Sequence, residues 1–387
     1  MRVLLTSTPG SGHLGPLFPF AHAIRRAGHE VLVAAPLSAQ ARVERAGLAY
    51  LSFADPLERD LAPVWAQVRA ASPEGANELV IRDLFAGVRA RSALPGVELA
   101  MDAWRPHVVL RESAEFAAAV AAEARGIPHA RVGAGLAMVE DYTVRTAAPA
   151  VDELRAWVGL EPDPAGERLA AAPYLTLTPP SLEAPGEPAP ERILRFHDAV
   201  PRPHAVPGRG VPPLVYVTFG SVAPTLGYYP ELYRAVIGAL ADLPARVVVT
   251  VGDAADPAEL GPLPANVRAE RWIPQAEIFG EAAAMVGHGG FGTTLGALLA
   301  GVPQVVVPLF ADQPYNARRI AELGAGLAAD AERPETIRAA VERLLDESSF
   351  RALSARVARE AFTLPPIDSV ASALLELVQA ARGRRAA

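Results

Sequence analysis

Short β-branched apolar runs alternate with alanine-rich stretches along the chain, and this alternation restricts the fold more than any other feature. In the first half the runs are Val3–Thr6, Val31–Ala35, Val108–Leu110, Ala130–Gly133 and Tyr174–Thr178, with Ile193–Phe196 a further short candidate. In the second half they are Leu214–Phe219, Arg246–Val251, Val267–Arg271, Met285–His288, Gln304–Pro308 and Leu327–Ala329. Strands apolar at successive positions are buried on both faces, and helices between them supply the cover, as in the parallel sheets of α/β proteins. At 387 residues the chain is long for one core, since domains run to roughly 100–200 residues. Between the two sets lie Ala184-Pro-Gly-Glu-Pro-Ala-Pro190 and Val200-Pro-Arg-Pro through Pro212-Pro213. Proline at that density suits neither a helix interior nor a central strand, so it reads as a connector. The expectation is two doubly wound α/β domains facing across a cleft: residues 1–200, a proline-rich linker at 201–212, and residues 213–363.

Composition removes several function classes. The formal charge of −7 argues against nucleic acid as a partner, because phosphate backbones select basic surfaces. Cysteine is absent, which excludes a disulfide framework, a thiolate metal site and a cysteine nucleophile. The leading apolar run stops at Leu5, short for a signal-peptide core, and no run of about 18 apolar residues offers a membrane span. A cytoplasmic protein with no membrane partner is expected. All the basic residues are arginine, which reads as a coding bias rather than a mechanism.

Gly10-Ser-Gly12-His-Leu-Gly15 follows the first strand and precedes the helical stretch Leu17–Ala27. It fits the dinucleotide pattern G-x-G-x-x-G, but a NAD site also needs an acid at the far end of the second strand. That strand ends Val33-Ala-Ala-Pro36, and the nearby Glu30 sits at its entry. The NAD reading fails there. His13 has two readings: a histidine hydrogen-bonded to loop backbone, or a general base at the carboxyl edge of the sheet, where α/β proteins place ligands. A neutral imidazole with a pKa near 6.5 accepts a proton at physiological pH. Such a base needs an orienting carboxylate. Glu112 and Glu115, at the end of another strand and the start of the next helix, both qualify.

The second half carries a second glycine-rich turn, Val286-Gly-His288-Gly-Gly-Phe-Gly-Thr-Thr-Leu295. Gly289, Gly290 and Gly292 bring backbone N–H groups close to an anion, and His288, Thr293 and Thr294 add donors at a helix N-terminus. Phe219-Gly-Ser221 is another loop at a strand end, and Trp272 of Arg271-Trp-Ile-Pro-Gln275 offers a stacking face beside the amide of Gln275. Asp312 and Gln313 pair an acid with an amide, which suits adjacent sugar hydroxyls or a plain helix cap.

In this order these motifs, with Gly301-Val-Pro and the closing Leu364-Pro-Pro, resemble a GT-B-fold family-1 glycosyltransferase of the macrolide and polyketide branch, nearly end to end. The resemblance implies two Rossmann-like doubly wound domains, with segment 364–387 a helix returning to the first. It implies an inverting transfer of sugar from a dTDP- or UDP-linked donor to a small hydrophobic acceptor. His13 would be the base and Glu112 its partner, although many relatives carry aspartate there. Ser221, His288, Gly289, Gly290, Gly292, Thr293 and Thr294 would hold the diphosphate, Trp272 and Gln275 the nucleoside, and Asp312 and Gln313 the sugar. No Asp-x-Asp triplet occurs, so no metal and no resident cofactor is expected.

The acceptor pocket should come from Leu51–Ala100 and Ala134–Ala172, where Phe53, Trp65, Phe85, Met138, Tyr142 and Trp157 are the candidate walls. The partners implied are the nucleotide sugar and the aglycone, with a homodimer left open. A non-catalytic nucleotide-sugar-binding partner protein and a sugar-nucleotide epimerase are the rival readings.

Overall fold

The structure is a computed structural model that describes residues 1–198 and 211–386. Most of the expected linker, 201–210, lies outside the described residues. The chain divides into two α/β units: Met1–Leu177 with Pro185–Asp198 and Pro365–Ala387, and Thr178–Ala184 with residues 211–364.

The first unit holds β1 (Arg2–Thr6), β2 (Glu30–Pro36), β3 (Ala49–Phe53), β4 (Val108–Glu112), β5 (His129–Val132), β6 (Tyr174–Thr176) and β7 (Ile193–Arg195). They form one parallel sheet in the order β3-β2-β1-β4-β5-β6-β7. The second unit holds β8 (Leu214–Thr218), β9 (Arg246–Thr250), β10 (Val267–Glu270), β11 (Ala282–Gly287), β12 (Gln304–Val306) and β13 (Gly326–Ala328). Their order is β10-β9-β8-β11-β12-β13, again all parallel.

Alternate residues of the central strands β1 and β8 enter different cores. Val3 and Leu5 join one apolar cluster and Leu4 the other, so helices cover both faces of the sheet. Val215 and Val217 are split from Leu214 and Tyr216 in the same way. Every apolar run marked in the sequence became a strand. Among the described residues no helix is long and apolar enough to cross a membrane.

Two features depart from the sequence reading. β3 was not anticipated, because an edge strand half open to solvent lacks a continuous apolar run. Gly96 of the helix Ala90–Trp104 packs on it so closely that a Cβ there would come within 2.6 Å of the Cβ of Phe53. Residues Thr178–Ala184, assigned above to the first domain, belong to the second unit. The nearly buried Arg319 donates to the carbonyls of Ser181 at 2.7 Å and Leu182 at 3.0 Å, and Glu360 accepts the Ser181 N–H at 3.0 Å. The turn residue Ile367 and the final helix Val370–Ala386, through Val370, Leu374, Leu377 and Val378, complete the first unit's core.

Candidate active site

In both units the functional loops leave the carboxyl ends of adjacent strands where the strand order reverses. Connections there run to opposite sides of the sheet and leave a crevice, which is where open α/β sheets bind ligands. In the first unit those strands are β1 and β4, with Thr6 in register with Arg111.

The loop after β1 makes one helical turn, Ser11–Leu14, that presents His13. Its Nδ1 lies 2.9 Å from Oε1 of Glu112, at the end of β4. The imidazole is 28% exposed and the carboxylate 1%. The Ala114 N–H (2.8 Å) and the Thr8 hydroxyl (3.1 Å) also donate to Glu112. Burial opposes the Glu112 charge, but the His13 charge and these hydrogen bonds outweigh it and hold the carboxyl below its usual range. A carboxylate on Nδ1 fixes the tautomer that leaves Nε2 as the basic nitrogen, an assignment that follows from the hydrogen-bond network.

Glu115 is occupied elsewhere. It accepts the Thr6 hydroxyl at 2.7 Å and the Ala118 N–H at 3.2 Å, at the start of the helix Ala117–Ala124. Burial pushes its pKa up.

A narrow crevice opens beside this loop, lined among others by Thr8, Phe53, Phe85 and Phe116. Phe85 lies on a π-helical stretch, Val80–Arg89, and its ring meets the His13 ring edge-on at 5.1 Å. Such wide helical turns recur at functional sites. Of the aromatic and methionine walls expected, Phe53 and Phe85 line the crevice. Trp65, Met138, Tyr142 and Trp157 do not, and Trp157 is 64% exposed.

In the second unit the reversal lies between β8 and β11, where Thr218 is in register with Gly287. Gly220-Ser221 follows one strand and His288 the other. A Cβ at Gly220 would stand 2.8 Å from the His288 ring, and one at Gly290 would stand 2.3 Å from its Nε2, so both glycines make room for the imidazole. Burial lowers the pKa of His288 to about 4, against an opposing contact with the Thr218 backbone, and its Nδ1 is buried without a hydrogen-bond partner. The ring is therefore neutral at physiological pH.

The helix Phe291–Leu299 starts at Gly290 with no side-chain cap. The Thr294 N–H closes the first turn onto the Gly290 carbonyl, so the preceding N–H groups point outward with the positive end of the helix dipole. A Cβ at Gly292 would meet nothing within 4 Å. Gln275 donates to the Thr293 hydroxyl at 3.0 Å, while Thr294 is buried with its hydroxyl unpartnered. Trp272 is 65% exposed rather than packed in the core, leaving its indole face available.

Asp312 accepts from Asn316 Nδ2 at 2.8 Å, and the same amide reaches the Gly289 carbonyl at 2.8 Å. Sequence reasoning passed over Asn316, although its spacing of four from Asp312 puts both on one helix face. Gln313 sits beside Asp312, at the start of the same helix. It is buried, and its amide oxygen accepts the N–H groups of Leu309 and Phe310 and closes that turn, which leaves only its amide nitrogen for a sugar. Among the described residues no group of three His, Asp or Glu is arranged to hold a metal.

Residues 22–184 match the N-terminal domain, and residues 234–377 the C-terminal domain, of the erythromycin biosynthesis protein CIII-like family. The chain belongs to this family. It is an antibiotic-type natural-product glycosyltransferase. The L-demethylnoviosyl transferase of Streptomyces niveus is 35% identical over 384 residues, with 97% of each chain covered. The elloramycin glycosyltransferase ElmGT of Streptomyces olivaceus is 35% identical over 392 residues, again 97% of each. Among solved structures, the spinosyn rhamnosyltransferase SpnG complexed with thymidine diphosphate superposes with a TM-score of 0.79 at 26% identity, covering 97% of this chain and 100% of that one. Its complex with spinosyn aglycone gives 0.78 at 27% identity, with the same coverage. For this CIII-like glycosyltransferase, both crevices at the strand-order reversals therefore lie within the stretch shared with enzymes of known reaction class.

Proposed function

We propose that this enzyme moves a sugar from a dTDP-linked donor to a hydroxyl of a small, largely apolar natural product, inverting the anomeric centre. The acceptor hydroxyl gives its proton to Nε2 of His13 as its oxygen bonds to the anomeric carbon from the face opposite the diphosphate. The bond from that carbon to the diphosphate oxygen breaks, and the nucleoside diphosphate leaves with the electron pair. Glu112 keeps the imidazole oriented and stabilises the imidazolium. The observation that carries the reading is the 2.9 Å contact between a partly exposed imidazole and a buried carboxylate that is held ionised.

The developing diphosphate charge falls to the Gly289–Thr293 turn with Ser221 and His288. These groups are fixed in advance and need no reorganisation as charge develops. Trp272 stacks on the base, and Asp312, steadied by Asn316, holds the sugar. The thymidine diphosphate bound by SpnG supports dTDP over UDP, and the aglycone complex supports an acceptor of that type. Leaving-group charge is carried without a metal, and the reaction takes place in the cytoplasm.

The test is transfer from dTDP- and UDP-sugars onto a small library of aromatic polyketide and macrolide aglycones, read by mass spectrometry, with chelator present and absent. The product's anomeric configuration is then read by NMR. Inverted product from dTDP-sugar, unaffected by chelator, is expected. Retained configuration, or a strict metal requirement, contradicts the reading.

A further inference from the structure

Arg89 lines the same crevice as Phe53, Phe85 and Phe116. Its Nε is buried with no hydrogen-bond partner. No acid among the described residues forms an ion pair with it. Asp55 and Glu112 are near enough to favour its charge, but burial outweighs them and pushes its pKa down. Asp55 and Glu115 also line this crevice, yet neither forms an ion pair with the half-buried guanidinium, so an incoming acid that did would offset part of its desolvation.

Its position is specific. The guanidinium carbon sits 5.6 Å from the centroid of the Phe85 ring, and that ring meets His13 at 5.1 Å. One aromatic ring therefore lies between the base and the cation. An acceptor that reaches past Phe85 from a hydroxyl at His13 would meet Arg89. Asp55, on the same crevice, is engaged by the Ser38 hydroxyl at 3.3 Å.

We propose that Arg89 is a specificity-determining residue that binds an acidic oxygen of the acceptor, a carboxylate or acidic enol, on the far side of Phe85 from the reacting hydroxyl. This rests on the reading that the crevice receives the acceptor. The acceptor class is accordingly a fused aromatic or enolic ring system with a reacting hydroxyl at one end and an acidic oxygen at the other. A guanidinium donates in a plane that matches such a group, and lysine replaces it only in part.

Two fluorescent probes test this by direct binding to the full-length protein: 7-hydroxycoumarin-3-carboxylate and 7-hydroxycoumarin, which differ in the carboxylate alone. The wild type is expected to bind the carboxylate at least about tenfold more tightly. Arg89→Gln should level the two affinities, and Arg89→Lys should keep part of the difference. Equal affinities in the wild type, or a carboxylate probe that fails to bind up to millimolar concentration, overturn the proposal, and so does a preference that persists in Arg89→Gln. The wild-type comparison decides even if a variant does not fold. Transfer is scored separately, so loss of the catalytic reading and loss of this one give different results.

Discussion

Glu112 and Glu115 are both fully buried, yet their surroundings drive them apart. Glu112 faces an imidazole and two further donors and is held ionised, whereas burial dominates at Glu115 and raises its pKa. The linkage follows in sign. The stabilisation from Glu112 is complete above the ordinary glutamate value of about 4.3 and is lost as pH falls through its lower folded value. For Glu115 a penalty grows as pH rises from about 4.3 through its higher folded value. Thermal unfolding at pH 4 and pH 8 should therefore show Glu115→Gln gaining on the wild type toward pH 8, and Glu112→Gln losing ground. In kinetics, Glu112→Gln removes the charge that stabilises the imidazolium. The acid limb of kcat/KM should move to lower pH, and kcat should fall by roughly 10²–10⁴. An unchanged acid limb would mean that the carboxylate does not stabilise the imidazolium through Nδ1.

The turn 288–294 combines a buried neutral imidazole, a helix start without a side-chain cap, and an exposed glycine with nothing around its missing Cβ. Gly292→Ala separates stability from binding. In the protein alone the added methyl meets open space and restricts the unfolded chain, so stability should hold or rise by up to ~1 kcal/mol. Nucleotide affinity, measured by calorimetry with dTDP, should nevertheless fall at least tenfold, because the open space is where the diphosphate approaches. An unchanged affinity would remove this turn from the donor site. Elements of this kind were legible in the sequence: apolar runs gave the strands, and glycines after strand ends gave both loops. What stayed hidden depends on tertiary contacts. The strand Ala49–Phe53 is half exposed and lacks the apolar run, Thr178–Ala184 is claimed by Arg319 from a distant helix, and Arg89 reads in sequence as an ordinary surface arginine. The turn-closing role of Gln313 was hidden too, because an amide that closes a turn and one that binds only sugar look alike until the N–H groups donating to it are known.

Each unit carries its own sheet and its own core, and the last helix completes the first core rather than the second. Calorimetry should resolve two unfolding transitions. Leu374→Ala, at a site 1% exposed in the first core, should lower one of them by about 2–5 kcal/mol of stability. Saturating dTDP should raise the other. A single transition moved by both changes would contradict this division of labour. The same division gives the most direct test of the mechanism: the single-turnover rate of His13→Ala, in a preparation whose dTDP-raised transition matches the wild type. A rate at least about 10²-fold lower than the wild type is expected. A rate within a few-fold of the wild type, with nucleotide binding intact, would contradict it.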